Sequence, residues 1–446
     1  MCNCKLSTIE EFIKKHRLDD VSSLALQAVK YPDIDMPFAL DQIEGWQRAR
    51  TKLPEWASKD GIIFPPHISM EQCSSERTAK YKSGILHSSG TLIDLTGGFG
   101  VDFSYMAKGF SKAVYVEQQS HLCDIAKHNF ELLGLQHAEV VNADGVEYLH
   151  SLPLISNASR THLEGESKEK SNFSLCRDKR CLDESQTHLE GENEENGQQT
   201  IEENIVIYLD PARRDVHGAK VYGIEDCTPN VVELQSELLD KASVVMVKLS
   251  PMLDLHAAIK ALSVSKAYIV SVGNECKELL LVLSRDKNEA IRVVCVNDDE
   301  SFEYSYGEEA DCVPSISDAD ILADGSECFL YEPNASIMKA GCFSLLTSCF
   351  SVKALSRNSH LFVSSDEIAD FPGRKFKIYA VSSMNKKELR KVLADISQAN
   401  IAVRNFPLSV AELRKRLKLK DGGDTYIFAT TVGERSHTLI ICKKIG

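Results

Sequence analysis

Residues 91–100 read Thr-Leu-Ile-Asp-Leu-Thr-Gly-Gly-Phe-Gly, and the fold is decided there. Leu92, Ile93 and Leu95 form the short apolar run of a buried strand. Asp94 interrupts it, and Gly97, Gly98 and Gly100 follow at once. Glycine lets a backbone turn tightly and approach a ligand that a Cβ would exclude, so a ligand is expected at the carboxyl edge of this strand. A dinucleotide fingerprint needs a further glycine where Phe103 stands, so that match fails.

Working outward, a second strand, Ala113 to Val116, ends at Glu117, 23 residues beyond Asp94. A third apolar segment around Glu139 to Val141 runs into Asn142-Ala143-Asp144. A fourth strand, Ile205 to Leu209, ends in Asp210-Pro211-Ala212-Arg213-Arg214. Helices are expected over Phe103 to Gly109, Ser120 to Leu133 and Val231 to Leu239. Further strands are expected over Ala242 to Lys248, Ala267 to Val272 and Glu278 to Leu283. This alternation predicts a doubly wound sheet of seven strands, the last two an antiparallel pair.

On the amino-terminal side, residues 1–70 read as helices, with Trp46 and Trp56 packing on a neighbouring domain. Ser74 or Ser75 caps a helix that leads to the first strand, near the ligand mouth, so Gln72, Ser75, Thr78 and Lys82 are placed to reach a substrate. Cys73 lacks a His or acid partner in the sequence and is not read as a nucleophile. Residues 156–204 are polar and acidic and repeat Thr-His-Leu-Glu-Gly-Glu at 161–166 and 187–192; a largely disordered insert is expected. Beyond 284, a strand at Ile291 to Val296, two short helices in Ala335 to Leu355 and an edge strand at Phe362-Val363 precede a compact α/β module. That module runs from Lys375 to the end, in the order strand, helix, strand, basic helix, strand, strand. The boundaries follow as 1–70, 71–284, 285–374 and 375–446.

The 446 residues carry 43% hydrophobic and 26% charged side chains and a formal charge of −14, which argues against nonspecific nucleic-acid binding over the whole surface. Residues 371–420, however, hold thirteen Lys or Arg against three acids, which suits a docked polyanion. No run has the length of a membrane span and the first twenty residues lack an apolar leader, so a cytoplasmic location is expected. The fourteen cysteines show no disulfide framework and no zinc spacing; free thiols and no structural metal are expected.

Asp94 to Gly100 resembles the first motif of the class I S-adenosylmethionine-dependent methyltransferases. The chain from about residue 70 onward resembles a family of bacterial methyltransferases with a ferredoxin-like segment and a THUMP-like C-terminal domain, on DLTGGFG (94–100), DPARR (210–214), KLSPMLD (248–254), YEPNASIMKAG (331–341) and the basic-helix ending. The resemblance implies an α/β fold with a Rossmann-like seven-stranded sheet, an N-terminal helical region and a small C-terminal α/β domain. It implies S-adenosylmethionine as cofactor, held by Asp94, Thr96, Gly97, Gly98, Gly100, Glu117 and Asp144. Asp210, Pro211 and Arg213 become the catalytic loop. Arg214 and Lys248 become phosphate contacts, and Lys415 and Arg416, with Arg374, Lys375, Lys386, Lys387, Arg390, Arg414 and Lys418, become contacts to RNA. THUMP domains present RNA to an attached catalytic domain, so ribosomal or transfer RNA is the expected substrate. Ala212 and Arg213 stand where amino-methylating relatives have Pro and an aromatic residue. Leu249-Ser250-Pro251 stands where carbon-5 uridine methyltransferases have their cysteine. The other readings are a methyltransferase of a protein or small molecule, and an RNA-binding protein that keeps the fold without turnover.

Overall fold

The computed structural model describes residues 3–86, 90–155, 204–212, 223–285, 290–311, 327–433 and 436–445. The expected insert at 156–204 lies outside them, apart from Asn204. The helices α1 (Asn3–His16), α2 (Val21–Ala25), α3 (Met36–Lys52), α4 (Pro54–Ser58), α5 (His67–Gln72) and α6 (Glu76–Ile85) come first. Strands and helices then alternate as β1 (Thr91–Asp94), α7 (Val101–Met106), β2 (Lys112–Glu117), α8 (Ser120–Leu132), β3 (Ala138–Asn142), α9 (Gly145–Ser151), β4 (Ile205–Leu209), α10 (Val231–Lys241), β5 (Val244–Leu249) and α11 (Leu255–Ala261). Next are β6 (Val264–Val272), β7 (Glu275–Leu283), β8 (Arg292–Asn297) and β9 (Glu300–Ser305).

These strands form one sheet in the order β3-β2-β1-β4-β5-β7-β6-β8-β9. The first seven have the arrangement expected from the sequence, and the sheet has nine strands where seven were expected. Strand β9 went unread because Asp298-Asp299-Glu300 looks like an acidic loop; Asp298 instead adopts a left-handed turn (φ 54°) that folds β9 back on β8. From β3 to β5 in this order the neighbours are parallel, and β7 runs antiparallel to β5, with Lys248 opposite Leu280. Strands β1 and β4 are buried at every position, as the unalternating apolar runs require.

Among the described residues two compact units separate, one of residues 3–155, 204–267 and 277–285, the other of 268–276 and 290–445. In the first, the amino-terminal helices pack directly on the glycine loop. Trp56 is buried edge-on against Phe99 at 4.9 Å, within a core of Leu53, Phe64, Met70, Val101 and Tyr105. Trp46 donates its indole N–H to the Ala57 carbonyl at 3.0 Å.

In the second unit, α12 (Glu308–Asp311) precedes β10 (Phe329–Pro333), α13 (Ala335–Ala340), α14 (Phe343–Cys349), β11 (Lys353–Ala354) and β12 (Phe362–Ser364). Then follow β13 (Gly373–Ser383), α15 (Lys386–Val392), β14 (Asn400–Arg404), α16 (Val410–Leu417), β15 (Thr425–Val432) and β16 (Ser436–Ile445). The sheet order is β11-β12-β10-β13-β16-β15-β14, so the terminal α/β module shares its sheet with residues 329–364 through the pairing of β10 with β13. Phe362-Val363 is therefore not at the edge as expected; the two-residue strand β11 takes that place. Phe376, Phe428 and Ile440 fill one core, while Leu413 of α16 enters a second with Ile427 and Ile441. Period-two alternation puts Ile427 and Phe428 on opposite faces.

Candidate functional site

The glycine turn after β1 is shaped by its neighbours. A Cβ on Gly97 would lie 2.3 Å from the Tyr115 ring, and Gly100, at φ +80°, is the residue before the first turn of α7. Only glycine fits both conditions. The Gly97 N–H donates to the Val116 carbonyl at 2.9 Å, and the Tyr115 hydroxyl donates to the Gly98 carbonyl. Glu117, at the end of β2, accepts from the Gly98 N–H through Oε2 at 2.9 Å and from the Gln119 N–H through Oε1 at 2.9 Å. Asp144, beyond β3, caps α9 by accepting from Val146 N at 2.8 Å and Glu147 N at 3.1 Å, both through Oδ1.

Asp94 is buried and accepts from the Thr96 N–H at 2.9 Å. Burial pushes its carboxyl up to about 8, with the charges of Asp102 and Asp210 adding to the effect and the Thr96 hydrogen bonds opposing it. The Thr96 hydroxyl in turn accepts from the Asp210 N–H at 2.7 Å, which ties the loop after β1 to the loop after β4. Pro211 is buried. Ala212 exchanges two backbone hydrogen bonds with Thr228, its N–H reaching the Thr228 carbonyl at 2.8 Å. Arg213 and Arg214 lie outside the described residues.

Along the carboxyl edge of the sheet, the order β3-β2-β1-β4 sets Asp144, Glu117, Asp94 and Asp210 in a row, with the glycine turn at its centre. The connections leave β1 in opposite directions, to β2 on one side and eventually to β4 on the other. Open α/β sheets bind ligands at such a switch point.

Behind Asp210 lies a group of charges in which the sequence reading named Lys82 and Lys248 but missed Asp102 and Glu278. Lys248, the residue after Val247 in the Val247–Leu209 register of β5 and β4, pairs with Asp210 Oδ2 and stands 3.6 Å from Asp102 Oδ2. Asp102, in the fully buried α7, accepts from the Ser74 hydroxyl and the Tyr208 hydroxyl, each at 2.8 Å. Its other oxygen is 3.2 Å from Lys82 Nζ, which donates to Glu278 at 2.6 and 2.7 Å and to Ser74 Oγ at 3.1 Å. Burial works against the Asp102 carboxylate, but Lys82 and Lys248 outweigh it and hold its pKa down at about 2. Lys248 is held protonated: its burial disfavours the charge, and Asp210 and Asp102 overcome that.

Two of the expected substrate contacts are corrected by this arrangement. Lys82 is fully buried in ion pairs, because a lysine on the inner face of α6 must meet carboxylates or lose its charge, and it reaches no solvent. Lys248 is engaged by two carboxylates with only 12% of its side chain exposed, so it is not displayed to a phosphate. Ser75 is used as the cap of α6, accepting from the Thr78 N–H at 3.3 Å, while Gln72 is exposed. Lys415 and Arg416 lie exposed on α16 in the second unit. Arg374 pairs with buried Glu332, and Arg414 with Asp421 at 2.5 Å, so those two are braced within the domain. Burial raises the Cys73 thiol above its usual range, which disfavours the thiolate that a nucleophile needs. Among the described residues there is no grouping of potential metal ligands, and no helix long and apolar enough to cross a membrane.

Residues 373–444 match the family model described as THUMP domain-like, and residues 329–372 match that of a ferredoxin-like domain. The carboxyl-terminal part of the chain carries these two domains. The ferredoxin-like match falls inside the stretch 285–374 expected as a ferredoxin-like or linking region, and β8 and β9 belong to the nine-stranded sheet. Over all of both chains, at 27% identity and a TM-score of 0.77, the chain is similar to a crystal structure from Porphyromonas gingivalis W83 provisionally named a methyltransferase. An rRNA methylase of Streptococcus thermophilus aligns over 47% of this chain and 95% of its own, at 11% identity and a TM-score of 0.27. An O-methyltransferase of Bacillus cereus in complex with SAH aligns over 48% and 83%, at 13% identity and 0.28. Both are loose likenesses. A search of curated proteins found no match.

Proposed function

We propose that this protein transfers a methyl group from S-adenosylmethionine to a nucleotide of a structured RNA, ribosomal or transfer. The observation that carries the reading is the row of acids 144, 117, 94 and 210 about the glycine turn at the switch point of the sheet. The donor set suits an adenosyl sulfonium. Asp144 keeps Oδ2 for an adenine amino group, and each Glu117 oxygen keeps a second lone pair for a ribose hydroxyl. The glycine turn leaves its backbone bare of side chains, and a Cβ on Gly98 would meet only the Thr96 carbonyl at 3.7 Å. When bound, the cofactor supplies an electrophilic methyl group on a sulfonium.

The work left to the chain is alignment and exclusion of water. Asp210 has one carboxylate oxygen on Lys248 and a side chain 38% exposed, so it can accept a hydrogen bond from an attacking amine and orient its lone pair. Pro211 and the Ala212–Thr228 pairing hold the loop that presents it. An RNA substrate is favoured by the THUMP-like match together with the exposed cations of α16. Arg213 and Arg214 are proposed as phosphate contacts from their place in the loop.

The test is incubation of the purified protein and labelled cofactor with total RNA from a strain lacking the gene, followed by digestion to nucleosides. One labelled nucleoside from one RNA class is expected, and Asp210→Ala should abolish it while cofactor affinity is kept. Cofactor binding with no label in any RNA would overturn the RNA assignment in favour of a protein or small-molecule acceptor. Full transfer by Asp210→Ala would remove that residue from the mechanism.

A further inference from the structure

Five charged side chains from five different elements alternate in sign from the core outward: Glu278 of β7, Lys82 of α6, Asp102 of α7, Lys248 of β5 and Asp210 after β4. Side-chain exposure is 3%, 0%, 10% and 12% along the first four and rises to 38% only at Asp210. Buried ion pairs rarely stabilise a fold more than apolar residues of the same shape would, so four buried charges invite another explanation. The array ends on the one carboxylate that reaches the site.

We propose that Lys248, fixed by Asp102, is a positioning residue for Asp210, and that Ser74 and Lys82 from the amino-terminal helical segment hold Asp102 for that purpose. The proposal rests on the reading of Asp210 as a catalytic residue. A lysine ammonium on a flexible four-carbon stem does not by itself aim a partner. Here its second contact is Asp102, whose own carboxylate is fastened by the Tyr208 and Ser74 hydroxyls and by the Lys82 ammonium. One oxygen of Asp210 is thereby anchored and the other is left for the acceptor. The Asp210 and Ala212 amides, bonded to Thr96 Oγ1 and the Thr228 carbonyl, report whether the loop keeps this position.

The experiment compares Lys248→Met, Lys248→Arg, Asp102→Asn and the milder Tyr208→Phe with the wild-type full chain. Three readouts are used: cofactor affinity by calorimetry, transfer rate to the RNA pool at saturating cofactor, and amide hydrogen exchange of a fragment spanning 209–212. Lys248→Met and Asp102→Asn should lower the transfer rate about 100-fold, the usual cost of a displaced catalytic group, with cofactor affinity within about threefold. Exchange in 209–212 should quicken about tenfold while β13 to β16 are unchanged. Lys248→Arg should recover most of the rate, and Tyr208→Phe should show the same pattern at smaller size. Wild-type transfer by Lys248→Met, or equal losses of affinity and rate, would overturn the proposal, as would exchange that quickens everywhere. If Asp210→Ala itself transfers normally, the reading of Asp210 fails, and the exchange at 209–212 still decides whether Lys248 holds the loop.

Discussion

Lys82→Met separates a buried ion pair from its packing. The methionine keeps most of the volume of the lysine stem, so little cavity is created and the change is mainly one of charge. What is lost is a pair with 0% and 3% side-chain exposure, two hydrogen bonds of 2.6 and 2.7 Å to Glu278, one of 3.1 Å to Ser74 Oγ, and the contact to Asp102. Asp102 retains Lys248, whereas Glu278 is left facing an apolar group. Breaking such a pair from one side costs about 3 to 5 kcal/mol. For a unit of this size that is a fall on the order of 10 °C in midpoint temperature. Both tryptophans of the chain, Trp46 and Trp56, lie in the first unit, so tryptophan fluorescence on heating reports that unit. Lys82→Met combined with Glu278→Leu removes both charges, and most of the loss should return, to within about 1 to 2 kcal/mol of wild type. A fall of less than about 2 °C for the single variant, or a double variant no better than the single, would refute the view that Glu278 is held by Lys82.

Two further outcomes follow from the geometry. The folded-state pKa of Asp94, about 8, lies above the 3.8 of a free carboxyl. The folded protein therefore keeps a proton that the unfolded chain releases, and this contribution weakens as pH rises from about 4 to about 8. Asp94→Asn should flatten that part of the stability profile in denaturant titrations, and an unchanged slope would count against a protonated Asp94. Reversing charge at Lys415 and Arg416 should weaken RNA binding, lower the slope of log affinity against log salt by about 1 to 2, and leave cofactor affinity alone; an unchanged salt slope would take α16 off the RNA surface.

The α/β class and the succession of strands and helices about the glycine turn could be read from local pattern, because buried parallel strands are short apolar runs and the turn demands glycine at Gly97 and Gly100. Asp94, Thr96, Glu117, Asp144 and Asp210 were also legible, since each sits at or just beyond a strand end, where chain direction alone puts it on one edge. The strand β9 was not legible, as its acidic start carries no hydrophobic signal and only pairing with β8 makes it a strand. Asp102 and Glu278 were equally hidden: an acid in the first turn of α7 reads as an ordinary helix start, and Glu278 reads as the start of a strand.

What the sequence determined by itself is most of the elements about the glycine turn and the residues at their ends, because propensity, glycine geometry and apolar periodicity act over a few neighbours. The tertiary structure alone decided which charges meet. Strand β7 enters antiparallel beside β5, so its beginning lies at the carboxyl end of β5 and brings Glu278 toward Lys82, 196 residues away in sequence. The same packing turned Lys82 and Lys248 from expected substrate contacts into buried partners of carboxylates. Whether a lysine is displayed or buried depends on the face its helix or strand presents to neighbours from distant parts of the chain, and no local pattern carries that information.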